Sequence, residues 1–162
     1  MNYGDYGAAT SRRRLFVIGA GEPAVLQGIL LGLERARSPA ATVRDAMGDL
    51  EVVPRGGFPD HEWMMVRTIG RYADRYAAGR FGWYRLEWDR PAPSFSSVGK
   101  TFILHPSGER VISVREVMRI MGFPDAYVFP RGTPLHDRYQ MVADAVSPAF
   151  SRALAMAILS AA

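Results

Sequence analysis

The sequence predicts an α/β fold: a buried strand near the amino terminus, amphipathic helices after it, an irregular β-rich middle, and two further helices. Three observations carry that expectation. Leu15-Phe-Val-Ile-Gly19 is a continuous apolar run with β-branched members. Gly, Pro, Ser and aromatic residues dominate from Gly79 to Gly99. Helix-start signatures stand at Ser113 and at Ser147-Pro148.

Each element has its own reason. The Leu15–Gly19 run lacks polar alternation, so it reads as a strand buried on both faces. Ala24–Ala36 places Leu26, Leu30 and Leu33 at helical spacing, while Gly28 and Gly32 weaken the helix. Thr42–Leu50 gathers Val43, Ala46, Met47 and Leu50 on one side of a short helix. His61–Ala78 predicts a longer helix whose stripe is Met65, Ile69, Tyr72, Ala73 and Tyr76. Strand-like pieces follow at Trp83–Trp88 and Thr101–His105. Ser113 and Glu116 have capping-box spacing, and the helix they open stops at Gly122 before Phe123-Pro124. Ser147 as N-cap and Pro148 at the first helical position start an apolar helix through Ala162.

Composition narrows the function classes. The 162 residues are 48 % apolar and 22 % charged, the balance of a globular domain. The apolar stretches at Leu15–Ala20 and Ala153–Ala162 are too short to span a bilayer, so a soluble cytoplasmic protein is expected. There is no cysteine, which removes disulfides, thiolate metal sites and a cysteine nucleophile. His61, His105 and His136 are far apart, and no metal site is expected. Lys100 is the lone lysine, so arginine supplies the rest of the 20 basic residues behind a net charge of +4. Arginine forks suit phosphates and the guanine edge. A GC-rich coding bias accounts for the same composition equally well.

Two motifs invite chemistry. Gly19-Ala-Gly-Glu-Pro-Ala24 is nearly a dinucleotide fingerprint, but Glu22 places a carboxylate where a pyrophosphate must approach, and a nicotinamide or flavin site is set aside. Arg12-Arg13-Arg14 precedes the predicted strand, and alternation sends Arg12 and Arg14 to the side opposite Arg13. That pair makes either a clamp for an anion or base edge, or a cluster solvating a strand end.

Four segments then occur in a telling order. They are Asn2-Tyr-Gly-Asp-Tyr-Gly7 with Ser11-Arg-Arg-Arg-Leu-Phe-Val-Ile-Gly19, and Tyr84-Arg-Leu-Glu-Trp-Asp-Arg-Pro-Ala-Pro-Ser94. The others are His105-Pro-Ser-Gly-Glu-Arg-Val-Ile-Ser-Val-Arg-Glu116 with Gly122-Phe-Pro-Asp125, and Arg138-Tyr-Gln-Met-Val-Ala-Asp-Ala-Val-Ser-Pro148. Together they resemble blocks eight to ten of the DNA cytosine-5 methyltransferases. The family pattern differs at Thr10 and Met121, each in place of Gln, at Ala143-Asp144 in place of Gly-Asn, and at Ser147 in place of Pro.

The resemblance implies the C-terminal fragment of a Rossmann-like methyltransferase fold with an irregular β-rich target-recognition region. It divides the chain into a block-eight strand at 1–21, the recognition region at 22–105, and a block-nine and C-terminal helical part at 106–162. By resemblance Arg12 and Arg14 are catalytic, Arg14 holding the O2 of a flipped-out cytosine. Asp144, Ala145 and Val146 would border S-adenosylmethionine, bound only together with an N-terminal half. Arg67, Arg71, Arg75, Arg80 and Arg85 would face double-stranded DNA, while Trp63, Trp83 and Tyr84 either join them or form a small core. Ser113, Arg115, Glu116, Pro124 and Asp125 would be structural. The family's glycine-rich loop, Pro-Cys nucleophile and Glu-Asn-Val block find no match among these residues. The expected function is therefore the recognition and base-holding portion of a split or truncated enzyme, with an N-terminal methyltransferase subunit as partner. The alternative is a catalytically inactive DNA-binding remnant. Ala153, Leu154, Met156, Ala157, Ile158 and Leu159 would then leave an apolar patch on an isolated half.

Overall fold

The computed structural model describes residues 1–66, 69–70, 84–95 and 103–161. The helices are α1 (Pro23–Arg35), α2 (Val43–Met47), α3 (Val114–Ile120), α4 (Leu135–Asp144) and α5 (Pro148–Ala161), with short 3-10 turns at Tyr3–Asp5 and Gly48–Leu50.

α1 and α5 pack together through their small residues. A methyl group at Gly32 would stand 2.9 Å from Ala157 Cβ, and one at Gly28 would stand 3.0 Å from Ala161 Cβ. The two glycines that lower the helix propensity of α1 are thus what lets α5 approach. Ile29 and Leu33 of the same helix are buried.

α2 is five residues long and relies on its cap. Asp45 N donates to Thr42 Oγ1 at 3.1 Å, and Thr42 N donates to the Asp45 carboxylate at 2.9 Å. α3 carries the expected capping box: Glu116 N donates to Ser113 Oγ at 3.1 Å, and Ser113 N to Glu116 Oε2 at 2.6 Å. Each such cap contributes about 1 kcal/mol. All of α3 except Arg119 is buried, so it forms the centre of the molecule. Gly122 follows with φ 86, the left-handed C-terminal position that glycine adopts without strain.

Four expectations need correction. The Leu15–Gly19 run is extended but not buried on both faces, since Leu15 and Val17 are 91 % and 93 % exposed. Phe16 and Ile18, on the opposite side, pack against the core, with Phe16 and Phe150 rings 4.5 Å apart. No named strand flanks the run among the described residues, so half of its apolar side chains face solvent. The β-rich middle is likewise not found there. Among the described residues it holds only isolated bridges, at Thr10↔Ala92, Arg85↔Leu104 and Leu104↔Val111. Pro91 and Pro93 flank the first bridge and cannot donate to a ladder.

Residues 61–66 are not helical. A turn with Asp60 at φ 58 directs His61 inward, where its imidazole reaches Val53 O at 3.2 Å. Most of the remaining expected helix, to Ala78, lies outside the described residues, as do parts of the two strand-like pieces. Finally, the Ser147 hydroxyl is buried without a hydrogen-bond partner, so it does not cap α5. The carbonyl of Ser147 begins that helix instead, accepting from Ser151 N at 2.9 Å.

α4 was not anticipated as a separate element. The apolar run from 135 to 161 is long enough by composition to cross a bilayer. It is broken at Ala145, whose ψ of 152 is extended, into helices of ten and fourteen residues. Each is shorter than the roughly 20 residues a crossing requires. The main core joins Tyr3, Leu33, Met47, Val117, Tyr139 and Phe150, and a smaller cluster holds Leu104 and Val111.

Candidate functional site

The arginine cluster is fixed by its pairing with the amino terminus. Tyr3 N donates to Arg12 O at 2.9 Å, and Arg14 N to Met1 O at 2.9 Å. The Met1 ammonium donates back to Arg14 O at 2.8 Å. The three arginines then part company.

Arg12 is 2 % exposed, and its guanidinium donates to the carbonyl oxygens of Phe95 and Ala143. Burial, with the neighbouring Arg14 charge, lowers its pKa from the ordinary arginine value. Arg13 and Arg14 are exposed, and Arg14 Nη1 rests on Arg13 O at 2.8 Å. Arg12 is thus set apart from both Arg13 and Arg14, so burial does not follow the expected alternation that pairs Arg12 with Arg14. The two guanidiniums of Arg12 and Arg14 do not converge, because Arg12 is wholly engaged by backbone.

The residues expected to border S-adenosylmethionine form an exposed turn at the end of α4. Asp144 is exposed and accepts from Gln140 Nε2 at 2.9 Å, and Val146 is 44 % exposed. Residues 144–146 do not by themselves enclose a ligand of that size. Of the expected DNA-facing arginines, Arg85 is exposed. Arg67, Arg71, Arg75 and Arg80, with Trp83, lie outside the described residues. Trp63 is partly covered by Arg110, whose guanidinium carbon stands 4.4 Å from the ring centre.

The structural assignments are placed in two buried polar networks. In the first, Arg110 grips both Glu116 oxygens at 2.8 and 2.6 Å while Glu116 also caps α3. His61 Nε2 faces the carbonyl of Val53, which only accepts, so Nε2 carries the proton. Its Nδ1 then accepts from the Ser113 hydroxyl at 3.0 Å. His105 Nδ1 accepts from Ser107 N at 3.2 Å, which leaves its Nε2 proton 3.8 Å from Glu116 without a hydrogen bond. Burial pushes the His105 pKa down to about 4 and lowers that of His61. Both imidazoles are neutral and enclosed, so this Ser–His–Glu grouping is architectural.

The second network centres on Asp60, which the sequence reading missed. Its carboxylate accepts from Arg115 at 3.3 Å, from Arg138 at 3.2 Å and from Phe129 N at 3.0 Å. Arg115 also donates to the carbonyls of Pro59 at 2.9 Å and Tyr127 at 2.8 Å, and lies 3.6 Å from Asp125. Arg119 forks onto Asp125 at 2.8 and 2.7 Å and holds its carboxyl below the usual range. Asp60 thus ties the loop before His61 to α3 and α4. The sequence signal was Pro59-Asp60 itself, a pair suited to a turn with left-handed geometry.

The family model described as C-5 cytosine-specific DNA methylase matches residues 46–160. A type II methyltransferase of Methanothermobacter thermautotrophicus, M.MthTI, is 27 % identical over 98 % of this chain and 54 % of its own length. DNA (cytosine-5)-methyltransferase 1 of Mus musculus is 38 % identical over 59 % of this chain and 6 % of its own. DNA (cytosine-5)-methyltransferase CMT2 of Oryza sativa subsp. japonica is 36 % identical over 64 % of this chain and 8 % of its own. The chain thus spans about half the length of the first of these relatives and a small part of the other two. The match covers both polar networks and the α4–α5 turn, and the chain belongs to the C-5 cytosine-specific DNA methylase family.

Proposed function

We propose that this chain is the DNA-recognition and base-holding portion of a DNA (cytosine-5-)-methyltransferase, active only with an N-terminal catalytic half carried by a partner chain. The observation that carries this reading is the apolar surface left open. Leu15 and Val17 project from an extended segment, and Leu30, Leu31, Met156 and Leu159 are exposed along α1 and α5. A run of this composition belongs inside a sheet, and a surface of this kind is unfavourable in water. The relative that spans this whole chain is about twice as long, so it has a further half to cover such a surface. The sequence holds no cysteine, so the nucleophile comes from elsewhere.

In this reading residues 1–21 join the catalytic sheet, 22–105 read the target, and 106–162 return to the catalytic half. Arg14, exposed and rigidly based on Met1, donates to the O2 carbonyl of a cytosine turned out of the duplex. Arg12 sets the position of that segment through Phe95 and Ala143. S-adenosylmethionine supplies the methyl group when bound, and Asp144, Ala145 and Val146 provide one edge of its surroundings. Double-stranded DNA is the substrate.

The test is methyl transfer from labelled S-adenosylmethionine to DNA. The chain alone should give none, and co-expression with a neighbouring reading frame bearing the Pro-Cys and Glu-Asn-Val blocks should restore it. Turnover by the pure chain overturns the split. Inactivity of the combined halves, with duplex binding retained, leaves a DNA-binding remnant.

A further inference from the structure

Residues 9–11 run beside Ala92: Ala92 N donates to Ala9 O at 2.8 Å, and Ser11 N to Ala92 O at 2.9 Å. Between this pairing and Tyr84–Glu87 opens a cleft of about 260 Å3, lined by Ser11, Tyr84, Arg85, Glu87 and Arg90 among others. Its charge is uneven. Glu87 lies 3.4 Å from Arg90 and offsets that guanidinium. Arg85 is exposed and makes no ion pair among the described residues, so one positive charge is left over. The Ser11 hydroxyl donates to Ala92 O at 3.4 Å beside the cleft, and Arg13 stands exposed two residues further along the same run. Tyr84 lines the cleft with its ring packed against the core, and its hydroxyl is buried without a partner among the described residues.

We propose that this cleft is a phosphate subsite that takes one backbone phosphodiester of duplex DNA, with Arg85 as the forked donor. Arg90 stands as its secondary donor. The inference rests on the DNA reading above and adds a place and a ligand to it. The fork of Arg85 matches two phosphate oxygens, and the single surplus charge matches the single charge of a diester. Glu87 disfavours a doubly charged free phosphate by repulsion.

The experiment is an equilibrium titration of a fluorescent duplex by the full chain, repeated across salt from about 50 to 200 mM. Each phosphate contact contributes about −0.9 to the slope of log K against log salt. Arg85→Gln should therefore flatten the slope by about 0.9, while Arg131→Gln, an equal charge change at an exposed position outside the cleft and outside residues 22–105, leaves it unaltered. Glu87→Gln should steepen the slope and tighten binding, a gain that misfolding cannot imitate. Identical slopes for wild type and Arg85→Gln, or an equal loss in Arg131→Gln, overturn the subsite and leave the DNA reading standing. Failure of the wild type to bind duplex even at the lowest salt overturns both.

Discussion

Arg12 donates a hydrogen bond to the carbonyl of Ala143 across 131 positions of sequence. The same guanidinium reaches Phe95 O, so one buried side chain fastens the amino-terminal pairing to the loop after Ala92 and to the end of α4. Removing it strands two buried carbonyls, each costing about 1–3 kcal/mol. Arg12→Ala should accordingly lower stability by about 2–5 kcal/mol in urea melts, and Arg12→Lys should not rescue it, because a single ammonium cannot reproduce the fork. Arg14→Ala should stay within about 0.5 kcal/mol of wild type. Equal losses for the two would contradict the division of labour seen here.

Gly32→Ala tests the α1–α5 seam. On propensity alone the change should stabilise a helix by about 1 kcal/mol. The added methyl would sit 2.9 Å from Ala157 Cβ and 3.1 Å from its Cα, with backbone behind it. Overpacking of that kind costs about 1–3 kcal/mol and should win. Ala157→Gly in the same chain should recover part of the loss, and additive effects in that double mutant would mean the contact is unimportant.

The seam also shows what the sequence could and could not reveal. Capping boxes are local, so Ser113 and Glu116 were legible from three-residue spacing. The glycines of α1 were legible only as a weakness, because their use depends on a helix more than a hundred residues away. The strand reading of Leu15–Gly19 failed for the complementary reason. Composition reports what a segment is suited to bury, and here only the Phe16 and Ile18 side meets a core. Asp60 was missed because its three donors come from Arg115, Phe129 and Arg138, none of which is near it in sequence. The resemblance picked out Arg12 and Arg14 together, whereas the folded chain encloses one and exposes the other.

Acid should weaken the fold before its carboxylates protonate. His105 has a folded pKa of about 4 against 6.5 unfolded, caused chiefly by burial beneath Trp88, whose ring centre is 5.1 Å away. Glu116 pulls the other way, but Arg110 holds both of its oxygens. A depressed histidine favours the neutral form, so its contribution is complete above pH 6.5 and is lost as pH falls from 6.5 toward 4. His61 shifts in the same direction. Urea melts should show a loss of about 1–2 kcal/mol between pH 7 and pH 5. His105→Gln should flatten that slope, and an unchanged slope would assign it to other groups.

The exposed partner of the buried arginine carries the catalytic expectation. In a complex reconstituted with a cysteine-bearing half, Arg14→Ala should, on the proposed reading, remove a charge-assisted hydrogen bond to the turned-out cytosine. Such bonds contribute about 1.5–3 kcal/mol, so single-turnover methylation should fall from about tenfold to more than a hundredfold. Duplex affinity should change far less, since phosphate contacts supply most of it. Among the described residues the Arg14 side chain touches no carbonyl except that of Arg13 beside it, so its loss should leave the melting profile unaltered. Arg12→Ala should differ in kind: a rate defect accompanied by the stability loss argued above, because it acts by holding the segment in place. A defect in Arg14→Ala confined to binding, or one that tracks stability, would reduce the cluster to a basic surface. A rate defect with intact affinity and intact stability would place Arg14 at the base.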